Sequence, residues 1–256
     1  MNSISAIVIT KNEEANIREC LESLRWVDEI VVVDSGSSDR TVEICREFTD
    51  RVFVHDWPGF GPQKNRALGY ATASWVLAID ADERVSPDLQ AEIRAVLQAP
   101  EHPAYELPRL SWYCGRFIRH SGWRPDHVLR LFERGKGRFS DDLVHEQVLV
   151  AGPVGRLGHD LIHYSFRNLE QVLRVVNRYS SLGAEQKFRS GQRSGLGRAL
   201  GHGLWEFFST YLLKGGFLDG RQGLMLAISN AEGSYYKYLK LMELGELERA
   251  GARPEQ

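Results

Sequence analysis

Asp80 and Asp82 flank a single alanine at the end of an apolar run, Ser74-Trp-Val-Leu-Ala-Ile-Asp-Ala-Asp-Glu83. One loop can therefore present both carboxylates to a divalent cation and to the phosphates it carries. Hard cations such as Mg²⁺ bind through one or two carboxylates plus phosphate oxygens rather than through an all-protein cage. That points to chemistry with a phosphate leaving group. Two more acidic loops, Thr10-Lys-Asn-Glu-Glu14 and Asp34-Ser-Gly-Ser-Ser-Asp39, also follow apolar runs. A fourth stretch, Ser140-Asp-Asp-Leu-Val-His-Glu146, offers three carboxylates and an imidazole. A general base must come within hydrogen-bond reach of the hydroxyl it activates, and a neighbouring histidine orients such a base or completes a metal site. The plainer alternatives are turns and helix caps, and Asp39 in particular is placed to cap a helix.

The elements that must position these groups alternate. Ser5–Thr10, Glu29–Asp34, Val52–His55 and Trp75–Ile79 read as strands, while Glu13–Leu24, Asp39–Phe48 and Gln63–Thr72 read as helices. Ser86-Pro87 opens another helix, with serine as cap and proline at its first position. Strands and helices in this rhythm imply βαβ units and a largely parallel sheet. In such a sheet, neighbouring strand ends line one crevice, the usual ligand site. From Ala104 to Val150 the rhythm gives way to short strand-like runs such as Val128–Phe132 and to Gly- and Arg-rich loops. From Asn168 to about Leu247 the pattern is helical. No linker or repeat interrupts the chain, which predicts a continuous body.

The 256 residues carry a net charge of −2 and are 43% hydrophobic, an ordinary globular balance that gives no reason to expect a nucleic-acid partner. Positive charge is local, in residues 104–140 and 165–204, where it reads as a solvated face or as attraction to an anionic acceptor or membrane. Cys20, Cys45 and Cys114 form no Cys-x-x-Cys pattern, which predicts a reducing compartment. Nothing resembles a signal segment or a span of ~18 apolar residues. The chain also lacks Gly-x-Gly-x-x-Gly and Gly-x-x-x-x-Gly-Lys-Ser/Thr loops. A metal and cationic side chains such as Lys64 must then carry any diphosphate charge. Aromatic runs at Leu204–Leu213 and Tyr235–Leu239 read as helix core or as a face lying in a membrane interface.

Taken together, Thr10-Lys-Asn-Glu-Glu14, Val33-Asp-Ser-Gly-Ser-Ser-Asp-Arg-Thr41 and Ile79-Asp-Ala-Asp-Glu83 resemble the family-2 glycosyltransferases of GT-A fold. Gly59-Phe-Gly61, Gln63-Lys-Asn65, His120-Ser-Gly-Trp123, Asp141-Asp-Leu-Val-His-Glu146 and Gly216-Phe-Leu-Asp-Gly220 narrow the resemblance to bacterial lipopolysaccharide inner-core β-1,4-glucosyltransferases. The resemblance implies an α/β GT-A domain, Rossmann-like with a mainly parallel sheet flanked by helices, over residues 1–166. A C-terminal helical region facing acceptor or membrane follows over 167–256. It implies transfer of a hexose from a UDP-sugar, glucose from UDP-glucose, with inversion, to a heptose of a heptose–Kdo–lipid A core. Mg²⁺ or Mn²⁺ is the implied cofactor, and the cytoplasmic face of the inner membrane the implied place of work.

Carried over by motif, Thr10, Glu13 and Asp34 belong to the uridine pocket, Asp80 lies near the ribose, and Asp82 ligates the metal with His145 as candidate second ligand. The Asp141-Asp142 pair stands where many inverting members have Glu-Asp, whose second acid is the base, so Asp142 is the first candidate and Glu146 its rival. Three other readings stay open. They are transfer to a polyprenyl phosphate carrier, nucleotidyl transfer, and a non-catalytic nucleotide-sugar-binding module.

Overall fold

The computed structural model describes residues 2–140 and 147–250. In chain order the first elements are β1 (Ile4–Thr10), α1 (Ile17–Glu22), β2 (Glu29–Asp34), α2 (Thr41–Arg46), β3 (Val52–Val54), α3 (Phe60–Tyr70), β4 (Trp75–Asp80), β5 (Glu83–Val85) and α4 (Pro87–Val96). There follow β6 (Ala104–Tyr113), β7 (Arg116–Phe117), β8 (His127–Glu133), β9 (Gly137–Phe139), β10 (Val148–Val150), β11 (Val154–Arg156) and β12 (Leu161–Phe166). The last are α5 (Leu169–Arg189), α6 (Leu196–Phe208) and α7 (Gly220–Arg249), with a π-helical turn at Ser209–Leu213 and a 3₁₀ turn at Gly216–Asp219 joining the final two.

The expected parallel sheet runs β3-β2-β1-β4. Its alternating apolar residues serve two cores, because successive side chains of a strand point to opposite faces. Ala6 and Val8 of β1 join Leu77 and Ile79 of β4 in one core, with Ile17, Leu21 and Leu24 from and beside α1. Ile7 and Ile9 join Val31, Val33, Val76 and Ala78 in the other, against Ala67 of α3. Burial on both faces is what a parallel sheet requires. Beyond β4 the sheet turns antiparallel, with β8 against β4 and β6 against β8. The GT-A expectation therefore stands, extended by an antiparallel half that the loop-rich reading of residues 104–150 did not contain.

The chain falls into two compact units, residues 1–110 with 125–164 and residues 111–124 with 165–256. Strands β6 and β12 each pass from one unit into the other, so the chain crosses between units more than once instead of at a single linker. Ser86 caps α4 as expected, its hydroxyl accepting from the Leu89 N–H. Asp39 differs. Helix α2 starts at Thr41, and Asp39 accepts from the Thr41 N–H and from Glu14 N–H, tying two loops together.

The second unit is helical. Its inner contacts include Ala184, Ala199, Tyr238 and Leu241. The aromatic runs divide: Tyr238 packs inward, whereas Leu204, Trp205, Leu212 and Leu213 are exposed. No helix among the described residues is long and apolar enough to cross a membrane.

Candidate nucleotide-sugar site

Three strand ends stand side by side. The register sets Thr10 beside Asp34 and Ile9 beside Asp80, so Thr10, Asp34 and Asp80 mark one row across β2-β1-β4. The loops leaving this row hold each other. Asn12, at φ +55°, donates its N–H to Ser37 Oγ and accepts from the Ser38 N–H, both at 2.8 Å. Glu13 donates its N–H to Thr41 Oγ1, while its carboxylate accepts from Asn16 Nδ2 at 2.7 Å. Asp34 is wholly buried and accepts from the N–H groups of Gly36 and Ser37 at 2.8 Å. Gly36 sits at φ +78°, left-handed backbone that glycine takes without strain. Thr10 Oγ1 is buried with no hydrogen-bond partner among the described residues, an unsatisfied polar atom at the end of β1.

Helix α3 sends three consecutive side chains to three different places. Gln63 donates to Ser35 Oγ at 2.9 Å, Lys64 pairs with Asp80 at 2.9 Å, and Asn65 exchanges two 2.9 Å bonds with the Phe139 backbone. Asp80 also pairs with Arg130 of β8. Beneath it, the fully buried Glu83 accepts from Arg130 and from the Asp80 N–H, each at 2.9 Å, with Arg109 at 3.5 Å. Burial alone would raise the Asp80 pKa, but Arg130 and then Lys64 hold it well below the usual carboxylate range. The same carboxylates hold the Arg130 guanidinium charged against its burial. Asp80 is thus a fixed anion with two cations already on it. Arg109 and Arg130, counted in sequence among the basic residues of a solvated or acceptor-reading stretch, are committed to Asp126, Glu83 and Asp80 instead.

Asp82 is no more exposed than Asp80, each side chain at 30%, but among the described residues no lysine or arginine pairs with it. His163 of β12 lies against it, Nε2 to Oδ2 3.3 Å, because the β5–β12 pairing sets His163 opposite Glu83. Among the described residues no group of three or more His, Cys, Asp or Glu side chains is arranged to hold a metal. A carboxylate with a neighbouring imidazole still fits a cation that takes most of its ligands from phosphates and water. Asp142, His145 and Glu146 lie outside the described residues. The residues flanking them pair: Ser140 N–H donates to Gln147 O at 2.8 Å, beside the Asn65–Phe139 bonds.

In the second unit, two of the five motifs that narrowed the resemblance meet, His120-Ser-Gly-Trp123 and Gly216-Phe-Leu-Asp-Gly220. Buried Asp219 accepts from the N–H groups of Arg119 and His120 at 3.0 Å and from Ser121 Oγ at 2.9 Å. A Cβ on Gly223 would lie 1.8 Å from Gly216 O, so only glycine admits this approach of backbone to backbone. The Asp219 carboxylate is thus spent on holding the turn together.

The sequence profile of glycosyl transferase family 2 matches residues 5–149. The chain belongs to that family. The match spans all three strand-end loops. Among curated relatives, the lipopolysaccharide core biosynthesis glycosyltransferase LpsC of Rhizobium meliloti is 32% identical, over 98% of this chain and 95% of its own. An uncharacterised glycosyltransferase of Rickettsia typhi is 30% identical over 95% of this chain and 88% of its own. The crystal structure of S. aureus TarS matches with a TM-score of 0.50 at 17% identity, covering 94% of this chain and 55% of that one, a likeness of fold alone.

Sequence reasoning missed His163, Arg130 and Glu83. Glu83 had a signal, since it adjoins Asp82 at a strand start. Arg130 and His163 reach the site only through strand pairing, which local spacing does not reveal.

Proposed function

We propose that this family-2 glycosyltransferase moves glucose from UDP-glucose, with inversion, to a heptose of the lipopolysaccharide inner core. The observation that carries the reading is the row of Thr10, Asp34 and Asp80 at adjacent parallel strand ends, with Asp82 one step beyond. The likeness to LpsC over nearly both whole chains supports the choice of acceptor class.

In this reading Thr10, Glu13 and Asp34 receive the uridine, and Asp80, held in place by Lys64 and Arg130, meets the ribose. Lys64 serves the diphosphate by fixing Asp80. Asp82, with His163 or His145 as partner, holds a divalent cation. When bound, Mg²⁺ or Mn²⁺ stabilises the charge that develops on the departing diphosphate. Asp142 takes the acceptor hydroxyl proton, with Glu146 as its rival in that role. The acceptor oxygen bonds to the anomeric carbon as the bond to the diphosphate oxygen breaks, and UDP leaves with that electron pair. A single displacement needs no carboxylate nucleophile. Residues 1–166 are the catalytic part and 167–256 the acceptor- or membrane-facing part, working peripherally at the cytoplasmic face of the inner membrane.

The test is turnover with a panel of UDP- and GDP-sugars, with and without heptose-containing core. UDP release from UDP-glucose that requires the core and yields a β-linked product is the expected result. Transfer to polyprenyl phosphate, pyrophosphate release, or binding without turnover would each overturn it.

A further inference from the structure

Helix α6 is built inside out. Its small residues, Ala199 and Gly203, face the interior, where a Cβ on Gly203 would sit 3.1 Å from the Tyr235 side chain of α7. Its large apolar residues face out. Leu204 is 71% exposed, Leu213 62% and Trp205 59%, and Leu196, Leu200, Phe208 and Leu212 are exposed with them. The face continues through Phe217 and Leu218 of the 3₁₀ turn, and an open apolar groove of about 340 Å³ joins Leu200 and Leu204 to Ile228 and Tyr236 of α7. An exposed apolar surface of this extent marks a place of contact, since monomeric proteins seldom leave one to water.

Charge identifies what covers it. Lys187, Arg198 and Lys237 each stand 5.4–5.6 Å from the Tyr238 ring, and no carboxylate pairs with any of them among the described residues. His202, stacked on the same ring at 3.8 Å, is held below its usual pKa by burial and then by these three cations. Arg198 and His202 lie on α6 among the exposed leucines, Lys237 lies on the α5 side of α7 beside Gly183, and one acid, Glu232, lines the groove. The whole second unit has 16 Lys and Arg against 9 Asp and Glu, whereas the first has 16 against 25. A second copy of the chain would bring the same uncompensated cations to its own face. A bilayer of anionic lipid offers hydrocarbon for the leucines and phosphates for the cations, with long basic side chains reaching out to the headgroups.

We propose that the outer face of α6, with its continuation through Leu213 and Phe217 and the groove against α7, is a docking surface for an anionic lipid bilayer, and that Lys187, Arg198 and Lys237 meet the headgroup phosphates. This deepens the reading of a lipid-anchored acceptor and rests on it only for its purpose.

Co-sedimentation with vesicles of phosphatidylethanolamine and phosphatidylglycerol (3:1) tests it. The full chain should partition onto these vesicles and far less onto phosphatidylcholine. Leu204→Glu/Leu213→Glu should weaken partition by about 100-fold, roughly tenfold for each leucine no longer buried. Arg198→Glu/Lys237→Glu should abolish the preference for anionic vesicles, with circular dichroism unchanged in both variants. Equal partition of wild type and both variants overturns the proposal. So does a dimer in lipid-free light scattering that Leu204→Glu/Leu213→Glu converts to monomer, which would assign the face to a second copy. Turnover on delipidated core oligosaccharide separates the two claims. Transfer without vesicle binding removes the docking surface alone, and vesicle binding without transfer removes the proposed function alone.

Discussion

Replacing Arg130 with methionine keeps most of the side-chain volume and deletes the charge between Asp80 and Glu83. Glu83 is fully buried and would lose its 2.9 Å partner, keeping the Asp80 N–H and the more distant Arg109 at 3.5 Å. Asp80 would keep Lys64. Removing one member of a buried ion pair costs about 3–5 kcal/mol because the other charge is stranded. Arg109 offsets part of that, so about 3 kcal/mol is expected for Arg130→Met. With a urea dependence of about 1–3 kcal/mol per molar, the midpoint should fall by 1 M or more. Far-UV circular dichroism against urea reads this directly. Glu83→Gln/Arg130→Met should lose less than Arg130→Met alone, because no orphan charge remains. The reasoning fails if Arg130→Met unfolds within 0.5 M of wild type, or if the double variant loses the sum of both singles.

Further outcomes follow from the same geometry. Asp82→Ala should cut turnover by orders of magnitude with little change in stability, because a solvent-facing loop carboxylate is rarely structural; full activity of that variant in excess EDTA would remove the metal assignment. Asp142→Asn should spare folding and UDP binding while lowering turnover about 10²–10⁴-fold, with a smaller loss for Glu146→Gln. The reverse order in rate assays would exchange the two roles. Glu29 is drawn upward by burial but more strongly downward by bonds from Ser5 and Thr72 and by Arg51, so its net pKa is low. Its stabilising effect is therefore present above the unfolded carboxylate pKa and lost as pH falls through the folded value. Glu29→Gln should cost about 2 kcal/mol at neutral pH, a penalty that shrinks in melts run below about pH 4.

The parallel half of the fold was legible because continuous apolar, β-branched runs and their acidic ends coincide, as at Glu29–Asp34. Helix α1 is shorter than the Glu13–Leu24 pattern because Glu13 is held in the loop by Thr41, before the helix begins at Ile17. Helix α3 begins three residues before Gln63 because Pro62 falls in its first turn, where no backbone donor is needed. Strand β6 escaped notice because a bulge between Tyr105 and Glu106 and proline at 108 break its alternation. Within the site, the loop residues that carry motifs were found and their supports were not. Arg130 lies 50 residues from Asp80, and His163 meets Asp82 across paired strands. Both contacts depend on register, which no local spacing encodes.

Amide hydrogen exchange with and without UDP and Mn²⁺ tests the central claim most directly, that the β2-β1-β4 strand ends bind the nucleotide of a sugar donor. Protection should concentrate in residues 10–14, 34–39 and 80–83, and should vanish in excess EDTA. Protection centred elsewhere, or none in these three loops at saturating UDP, would contradict it.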